Sequence, residues 1–340
     1  MKLQFAVEKH TLKFITPTKT SRNTFDEKLH WIIKIWDVKK PEIAGIGEAA
    51  PLQYLSPEYN QNLEITLIKK LDEIVSGKRL EDIDFCKLPS VKFAIESALI
   101  DLKNGGKQIY YNSAFLKGKP IPINGLVWMN TPNEMLKEAI EKAKLGFNCI
   151  KFKIGSHDFD EECKMIETFR KSEWGKNCII RLDANGAFEN DEALKKISEL
   201  SKFKIDSIEQ PVKPGQFDVL ENICRNSKVK IALDEELINI DDFENIDQFL
   251  KLIRPQIIII KPTLLGGIAE SEKWIAKSKK YEIDWWATSA LESNIGLNII
   301  SQWVGKSKPV LHQGLGTGKL YKNNFAIKSN ISNGQLYYRV

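Results

Sequence analysis

Cysteine and histidine are scarce in this sequence, and neither is arranged to make a metal or redox centre. Cys86, Cys149, Cys163, Cys178 and Cys224 are an odd five without CxxC spacing, which argues against a disulfide framework or a structural zinc site. Most are expected to be small core hydrophobes. The four histidines, His10, His30, His157 and His312, are scattered along the chain, so no His-rich metal centre is expected. No run of 18 apolar residues occurs, and the leading MKLQFAVEKHTLKF lacks the apolar core of a signal peptide. A cytoplasmic protein without membrane association is the expectation. Basic residues number 50 against 45 acidic ones, but the net charge of +5 forms no Lys/Arg block and has no RNA-binding aromatic signature, which makes nucleic acid a poor partner. A GxGxxG turn after an early strand and a Walker A sequence are both missing, so the common nucleotide folds are disfavoured.

What remains is ordinary globular composition, 42% hydrophobic and 28% charged, in 340 residues. That is enough for one large domain or two ordinary ones. In the first hundred residues, LQFAVEKHTLKFIT and LHWIIKIWDV read as two antiparallel strands, joined by a polar, mobile loop from Pro17 to Glu27. Pro57 and Glu58 open an amphipathic stretch, and Val91, Ala94, Ile95, Ala98, Leu99 and Leu102 recur at helical spacing. An α+β unit over residues 1–110 is expected, with a boundary between Gly105-Gly106 and Lys119.

From Pro120 onward short apolar runs alternate with amphipathic helices. INGLVW, CIKFKI, CIIRLD, IDSIE, KIALD, QIIIIK, DWWATS and a short PVLHQ are the candidate strands. Thr131-Pro132 starts one of the helices and Gly146 stops it. Repeated βα units imply a parallel sheet. Lys153, Asp183, Glu209, Asp234 and Lys261 each stand near the C-terminal end of a successive strand, at intervals of 25 to 30 residues. An open doubly wound sheet gathers ligands at one switch point, whereas a βα barrel collects them from many strand ends, so a barrel over residues 111–317 is expected.

Alternation along a strand puts Lys151 and Lys153 on one face and Phe152 and Ile154 on the other. Arg181, Asp183 and Asn185 share a face in the same way, and Glu209 is in phase with Ser207. Three carboxylates converging at buried strand ends repel one another unless a cation lies among them, and hard oxygen donors suit Mg²⁺ or Mn²⁺. Nearby positive charge would lower the pKa of a flanking lysine enough for it to take a proton. A proton α to a carboxylate is the fitting target, because the cation stabilises the second negative charge that its removal creates. A small-molecule carboxylate is therefore the expected partner.

The segments DAN (183 to 185), EQP (209 to 211), DE (234 to 235) and KPTLLGG (261 to 267), with KxK at 151 to 153, resemble the enolase superfamily in its muconate lactonizing enzyme subgroup. The resemblance spans essentially the whole chain. It implies a modified (β/α)7β barrel with an N-terminal α+β capping domain that is completed by a C-terminal tail, residues 318–340. It makes Asp183, Glu209 and Asp234 the metal ligands, Lys153 the base and Lys261 the lysine on the opposite face. Lys151 would polarise the substrate carboxylate or tune Lys153. DWWATSALESNIGL lacks the seventh-strand histidine of the mandelate racemase subgroup, and GLGTG at 314 to 318 replaces the acidic DxD of dipeptide epimerases. Arg181 and the run Ser289 to Leu297 resemble the dehydratase branch, whose substrate is a cyclohexadiene carboxylate that becomes aromatic on losing water. Racemisation of N-succinylamino acids is the alternative that the same lysine pair would serve, and a non-catalytic binding barrel is the third. Substrate contacts are expected from Arg181, Asn185, Ser289 and the backbone at Gly314. The loop 17–27, with Ser21 and Arg22, and the segment 47–56 are expected to set specificity.

Overall fold

Three strands form at the N-terminus, one more than the sequence pattern announces. The computed structural model describes residues 2–19, 24–59, 62–238, 240, 246–307 and 311–339. Strands β1 (Leu3–Lys19), β2 (Thr24–Asp37) and β3 (Lys40–Ala49) make an antiparallel sheet in that order. The expected loop 17–27 is shorter than its polarity suggests, because Thr18 pairs with Phe25 and Lys19 with Thr24. Ser21 and Arg22 lie outside the described residues. β3 escapes a pattern search because Pro41, Gly45 and Gly47 read as breakers. The glycines are there for close approach: a Cβ on Gly45 would lie 1.9 Å from Ala98 O, and one on Gly47 would lie 2.0 Å from Ala94 O. Both oxygens belong to helix α2 (Pro89–Lys103), which follows α1 (Leu63–Val75). Trp31, Ile33 and Ile35 alternate along β2 and pack against Leu67, Leu71, Ala94 and Ala98 of these helices. The first helix begins at Leu63, later than Pro57-Glu58. Glu58 is buried and accepts a hydrogen bond from Ser90 N in the first turn of α2 (2.7 Å).

A short strand β4 (Ile121–Pro122) precedes a seven-stranded parallel sheet: β5 (Gly125–Val127), β6 (Cys149–Lys153), β7 (Ile179–Asp183), β8 (Ser207–Glu209), β9 (Lys230–Leu233), β10 (Ile257–Ile260) and β11 (Asp284–Ala287). Helices α3 (Pro132–Lys144), α4 (Phe159–Lys171), α5 (Ala193–Leu200), α6 (Phe217–Asn226) and α7 (Ile246–Ile253) fill the first five connections. The one-turn α8 (Pro262–Leu265) and then α9 (Ile268–Ser278) lead into β11, and α10 (Asn294–Ser307) follows it. The sheet curls until its edges meet. Gln313 bridges to Ile123 and Gly314 to Thr288, both parallel, so residues 313–314 act as the eighth strand. Asn124 N donates to Gln313 O (3.0 Å) and Gly314 N to Ala287 O (2.8 Å). The fold is thus an α/β barrel with a separate antiparallel N-terminal sheet.

The period-two expectation holds around the ring. Ile150, Phe152, Leu182, Ile208, Ile231 and Ile258 face the helices and join one large core. The alternate residues of the same strands point into the barrel. After the ring closes, Lys322 N donates to Lys13 O, while β12 (Ser329–Ser332) and β13 (Gln335–Tyr338) form a hairpin that pairs with β4. Among the described residues, no helix is long and apolar enough to cross a membrane.

Candidate active site

Lys153, Asp183 and Glu209 lie in one register row across β6, β7 and β8. Ala232, in line with Glu209, is two residues before Asp234, so Asp234 stands one inward position higher on the next strand. Lys261 directly follows β10. Counting β5 as the first strand of eight, Lys153 is on the second and Lys261 on the sixth, so they face each other across the ring. The carboxylates of Asp183, Glu209 and Asp234 fill the arc between them.

The lysines are threaded among the acids. Lys153 Nζ donates to Asp183 Oδ2 (2.6 Å) and to Asn185 Oδ1 (2.7 Å). Lys151 Nζ lies 2.8 Å from the same Asp183 oxygen and donates to Glu209 Oε2 (2.5 Å). Lys261 pairs with Asp234. Burial disfavours an ammonium, but Asp183 and Glu209 outweigh it and hold Lys151 above its usual pKa. Asp234, Glu209 and Glu235 do the same for Lys261. For these two lysines the direction is the reverse of the lowering expected from sequence, because carboxylates rather than positive charges are their immediate neighbours. Burial and the adjacent Asp183 raise Glu209 well above the normal carboxyl range. Asp183 is held below that range, since Lys151 and Lys153 overcome the cost of its burial.

A fourth carboxylate, Glu235, is 4% exposed and lines the same cavity. Its Oε1 accepts from Asn185 Nδ2 (2.9 Å), and its Oε2 has no partner. Burial and the charges of Asp234 and Asp183 push its pKa up. Four carboxyl groups thus face three lysines. Among the described residues no three acidic side chains are drawn into a ready metal cage, since the ammoniums lie between them. The donor set nonetheless fits a divalent cation: all its ligand atoms are hard oxygens, the acids raise one another's pKa in a repulsion that a cation among them would relieve, and one buried carboxylate oxygen is orphaned.

Lys151, Lys153, Asp183, Glu209, Glu235 and Lys261 line a cavity of about 210 Å³. Asn185, Ser289 and Gly314 are on its wall, together with Leu52, Leu55 and Trp128. Arg181 is not among the lining residues. It is 2% exposed and sits one inward position below Asp183, with its guanidinium 3.7 Å from the centre of the Trp286 ring and donating to His312 O (2.7 Å). It forms the floor of the barrel, because a residue two positions earlier on a strand lies one layer deeper. Arg22 lies outside the described residues and is not placed.

Sequence reasoning missed a polar network that ties the N-terminal sheet to the loop after β11. Lys28 Nζ donates to Ala50 O (2.8 Å), Ala290 O (3.1 Å) and Leu291 O (3.1 Å). Glu48 on β3 accepts from Ser293 N (2.8 Å), Ser293 Oγ (2.6 Å) and Gly296 N (2.7 Å), capping α10, and from His30 Nδ1 (2.5 Å). Ser289 Oγ donates to Glu292 Oε2 (2.6 Å). The available signal was the phase of Lys28 and His30, opposite to Trp31, Ile33 and Ile35 along one strand. Burial pushes Lys28 down to about 8. It also pushes His30 down to about 4, so a neutral imidazole meets an ionised Glu48.

Comparison with known proteins agrees with this arrangement. The family described as enolase C-terminal domain-like matches residues 134–333. An o-succinylbenzoate synthase of Desulfotalea psychrophila is 35% identical, with 98% of each chain covered. The crystal structure of MenC from that organism superposes with a TM-score of 0.84 at 34% identity, over 99% of this chain and 100% of the other. The dipeptide epimerase from Enterococcus faecalis V583, complexed with Mg and the dipeptide L-Leu-L-Tyr, has a TM-score of 0.82 at 22% identity, covering 99% and 97%, a likeness of fold alone. With a barrel of this form, opposed lysines at its mouth and a full-length match of this strength, the chain belongs to the enolase superfamily, in the family of the o-succinylbenzoate synthases.

Proposed function

We propose that this enzyme removes water from 2-succinyl-6-hydroxy-2,4-cyclohexadiene-1-carboxylate to give o-succinylbenzoate, a step of menaquinone biosynthesis in the cytoplasm. The observation that carries the reading is the opposition of Lys153 and Lys261 across the ring with the acids between them. Lys153, as the free amine, takes the proton from the carbon bearing the carboxylate, and the electron pair moves into that carboxylate as an enediolate. Lys261, positively charged on the other face, stabilises the added charge, and Lys151 holds the carboxylate from the floor side. The pair then returns to form the ring double bond as the C–O bond breaks. The ammonium of Lys153 gives its proton to the departing hydroxide on the same face, so water leaves and the ring becomes aromatic. Asp183, Glu209 and Asp234 would hold Mg²⁺ or Mn²⁺, which when bound supplies Lewis-acid stabilisation of the growing carboxylate charge. Division of the chain into a capping unit over 1–110 and a barrel over 111–317 belongs to the same proposal.

The test is conversion of the cyclohexadiene substrate by purified protein with Mg²⁺, followed by the appearance of o-succinylbenzoate. Turnover is expected, and EDTA is expected to abolish it. Exchange of the α-proton of an N-succinylamino acid with solvent deuterium, without dehydration, would reassign the site to a racemase. Inertness in both assays with metal bound would leave only a binding role.

A further inference from the structure

Leu291 stands on the cavity wall beside Ser289 and Ala290, with a left-handed backbone at φ +61°. For a leucine that conformation is strained, and it persists only where the surrounding structure holds it. The holding contacts are specific. Leu291 N donates to Ser289 Oγ (3.0 Å), and Leu291 O accepts from two buried side chains of distant segments, Lys28 Nζ (3.1 Å) and Tyr321 Oη (2.7 Å).

Lys28 holds a second stretch of wall at the same time. An ammonium has three protons to donate, and each goes to a backbone carbonyl: Ala50 O (2.8 Å), Ala290 O (3.1 Å) and Leu291 O. Ala50 leads into the segment that carries Leu52 and Leu55, which also line the cavity. One buried charge therefore joins a wall segment of the N-terminal sheet to a wall segment of the barrel. A lysine this deep, with no carboxylate bonded to it among the described residues, costs stability. Glu48 and Glu292 favour its charge from nearby, but their oxygens accept from His30, Ser293 and Gly296, and from Ser289 and Thr263. What the charge secures is the meeting of the two segments.

We infer that Lys28 is a positioning residue for ligand binding: its ammonium pins the left-handed turn at Leu291 to the segment after Ala50 and so sets the shape of the wall that they share. The inference rests on the proposed reaction, which supplies the probe ligand.

Calorimetric titration with o-succinylbenzoate in the presence of Mg²⁺, and with Mg²⁺ alone, tests it. Lys28→Met keeps the length of the side chain and removes its donors. It should weaken o-succinylbenzoate about tenfold and leave Mg²⁺ affinity within about twofold of wild type. Glycine takes a left-handed backbone without help, so in Leu291→Gly protein the same Lys28→Met change should cost less than about threefold. Tyr321→Phe removes only the other donor to Leu291 O and carries the test if Lys28→Met does not fold. It should weaken the ligand about threefold, and not at all in Leu291→Gly protein. Unchanged affinity in Lys28→Met, an equal loss in both Leu291 backgrounds, or a parallel loss for Mg²⁺ overturns the positioning role alone. Wild-type protein that does not bind o-succinylbenzoate overturns the proposed reaction and the positioning role with it.

Discussion

Inside the barrel, one side is polar and the other apolar. On β6, β7 and β8 the inward residues are Lys151, Lys153, Arg181, Asp183, Ser207 and Glu209, all buried. On β9, β10 and β11 the equivalent positions hold Ala232, Ile257, Ile259 and Trp286, which cluster with Leu311. Backbone geometry is the same on both sides, so the difference lies wholly in side-chain chemistry. The apolar arc stabilises by burial, whereas the polar arc is tolerated only because each charge has an opposite charge or hydrogen bond within reach. Arg181 crosses between them, stacking its guanidinium on Trp286. Site charge thus lies within β6, β7 and β8, whereas β9 and β10 carry it only just past their ends, as Asp234 and Lys261.

The largest expected effect is on the polar arc. Lys153→Ala should lower kcat by roughly 10³- to 10⁴-fold in a steady-state assay, since it removes a general base. Undiminished turnover would take Lys153 out of the reaction and erase the functional side of the contrast. On the apolar arc, Trp286→Ala should cost about 3–5 kcal/mol of unfolding free energy in urea, from lost burial and the cavity left beneath Arg181. A cost below about 1 kcal/mol would mean that the floor is not a packed core.

A third measurement probes the cap that holds the loop beside the polar arc. His30 stays neutral in the fold, with its pKa lowered from 6.5 to about 4, so the unfolded chain takes up that proton first. Stability should then fall as pH drops from about 6.5 to 4, by roughly 3 kcal/mol from this residue. Glu48 is lowered from 4.5 to about 2, because its bonds to His30 and Ser293 outweigh burial, and it adds a further loss below pH 4.5. Urea titrations across this range should show a shallower upper limb in His30→Gln, and an unchanged slope would remove His30 from the account. The smallest effect is expected at the exposed end of β9. Lys230 is half exposed and 3.6 Å from Asp206, so Lys230→Ala should change stability by less than about 0.5 kcal/mol.

Much of the barrel was legible because strand alternation is local. CIKFKI and CIIRLD carry a period of two that assigns Lys151, Lys153, Arg181 and Asp183 to one face without any tertiary information. Arg181 shows where that logic stops, since parity gives the face but not the depth. β3 was hidden because Gly45 and Gly47 break a strand pattern, and their purpose is visible only with α2 lying on them. The distant caps of helices α9 and α10 were hidden in a different way. Glu96 caps α9 through Ile268 N (2.6 Å) and Ala269 N (2.9 Å), and Glu48 caps α10, each from far away in the chain. No local capping rule could have found either glutamate, although Ser293 Oγ also caps α10 locally by accepting from Ile295 N (3.1 Å).

By itself, the sequence determined which residues share a face, where charge meets a strand end and how often the βα unit repeats, because all three depend on the backbone period over a few residues. Tertiary structure alone decided that the sheet closes through Gln313 and Gly314, and that Arg181 is floor. It also decided that Lys28 and Glu48 of the N-terminal sheet hold the loop after β11. Those outcomes depend on contacts between segments far apart in the chain, whose register is set by packing and by the pairing of buried polar groups rather than by any local preference.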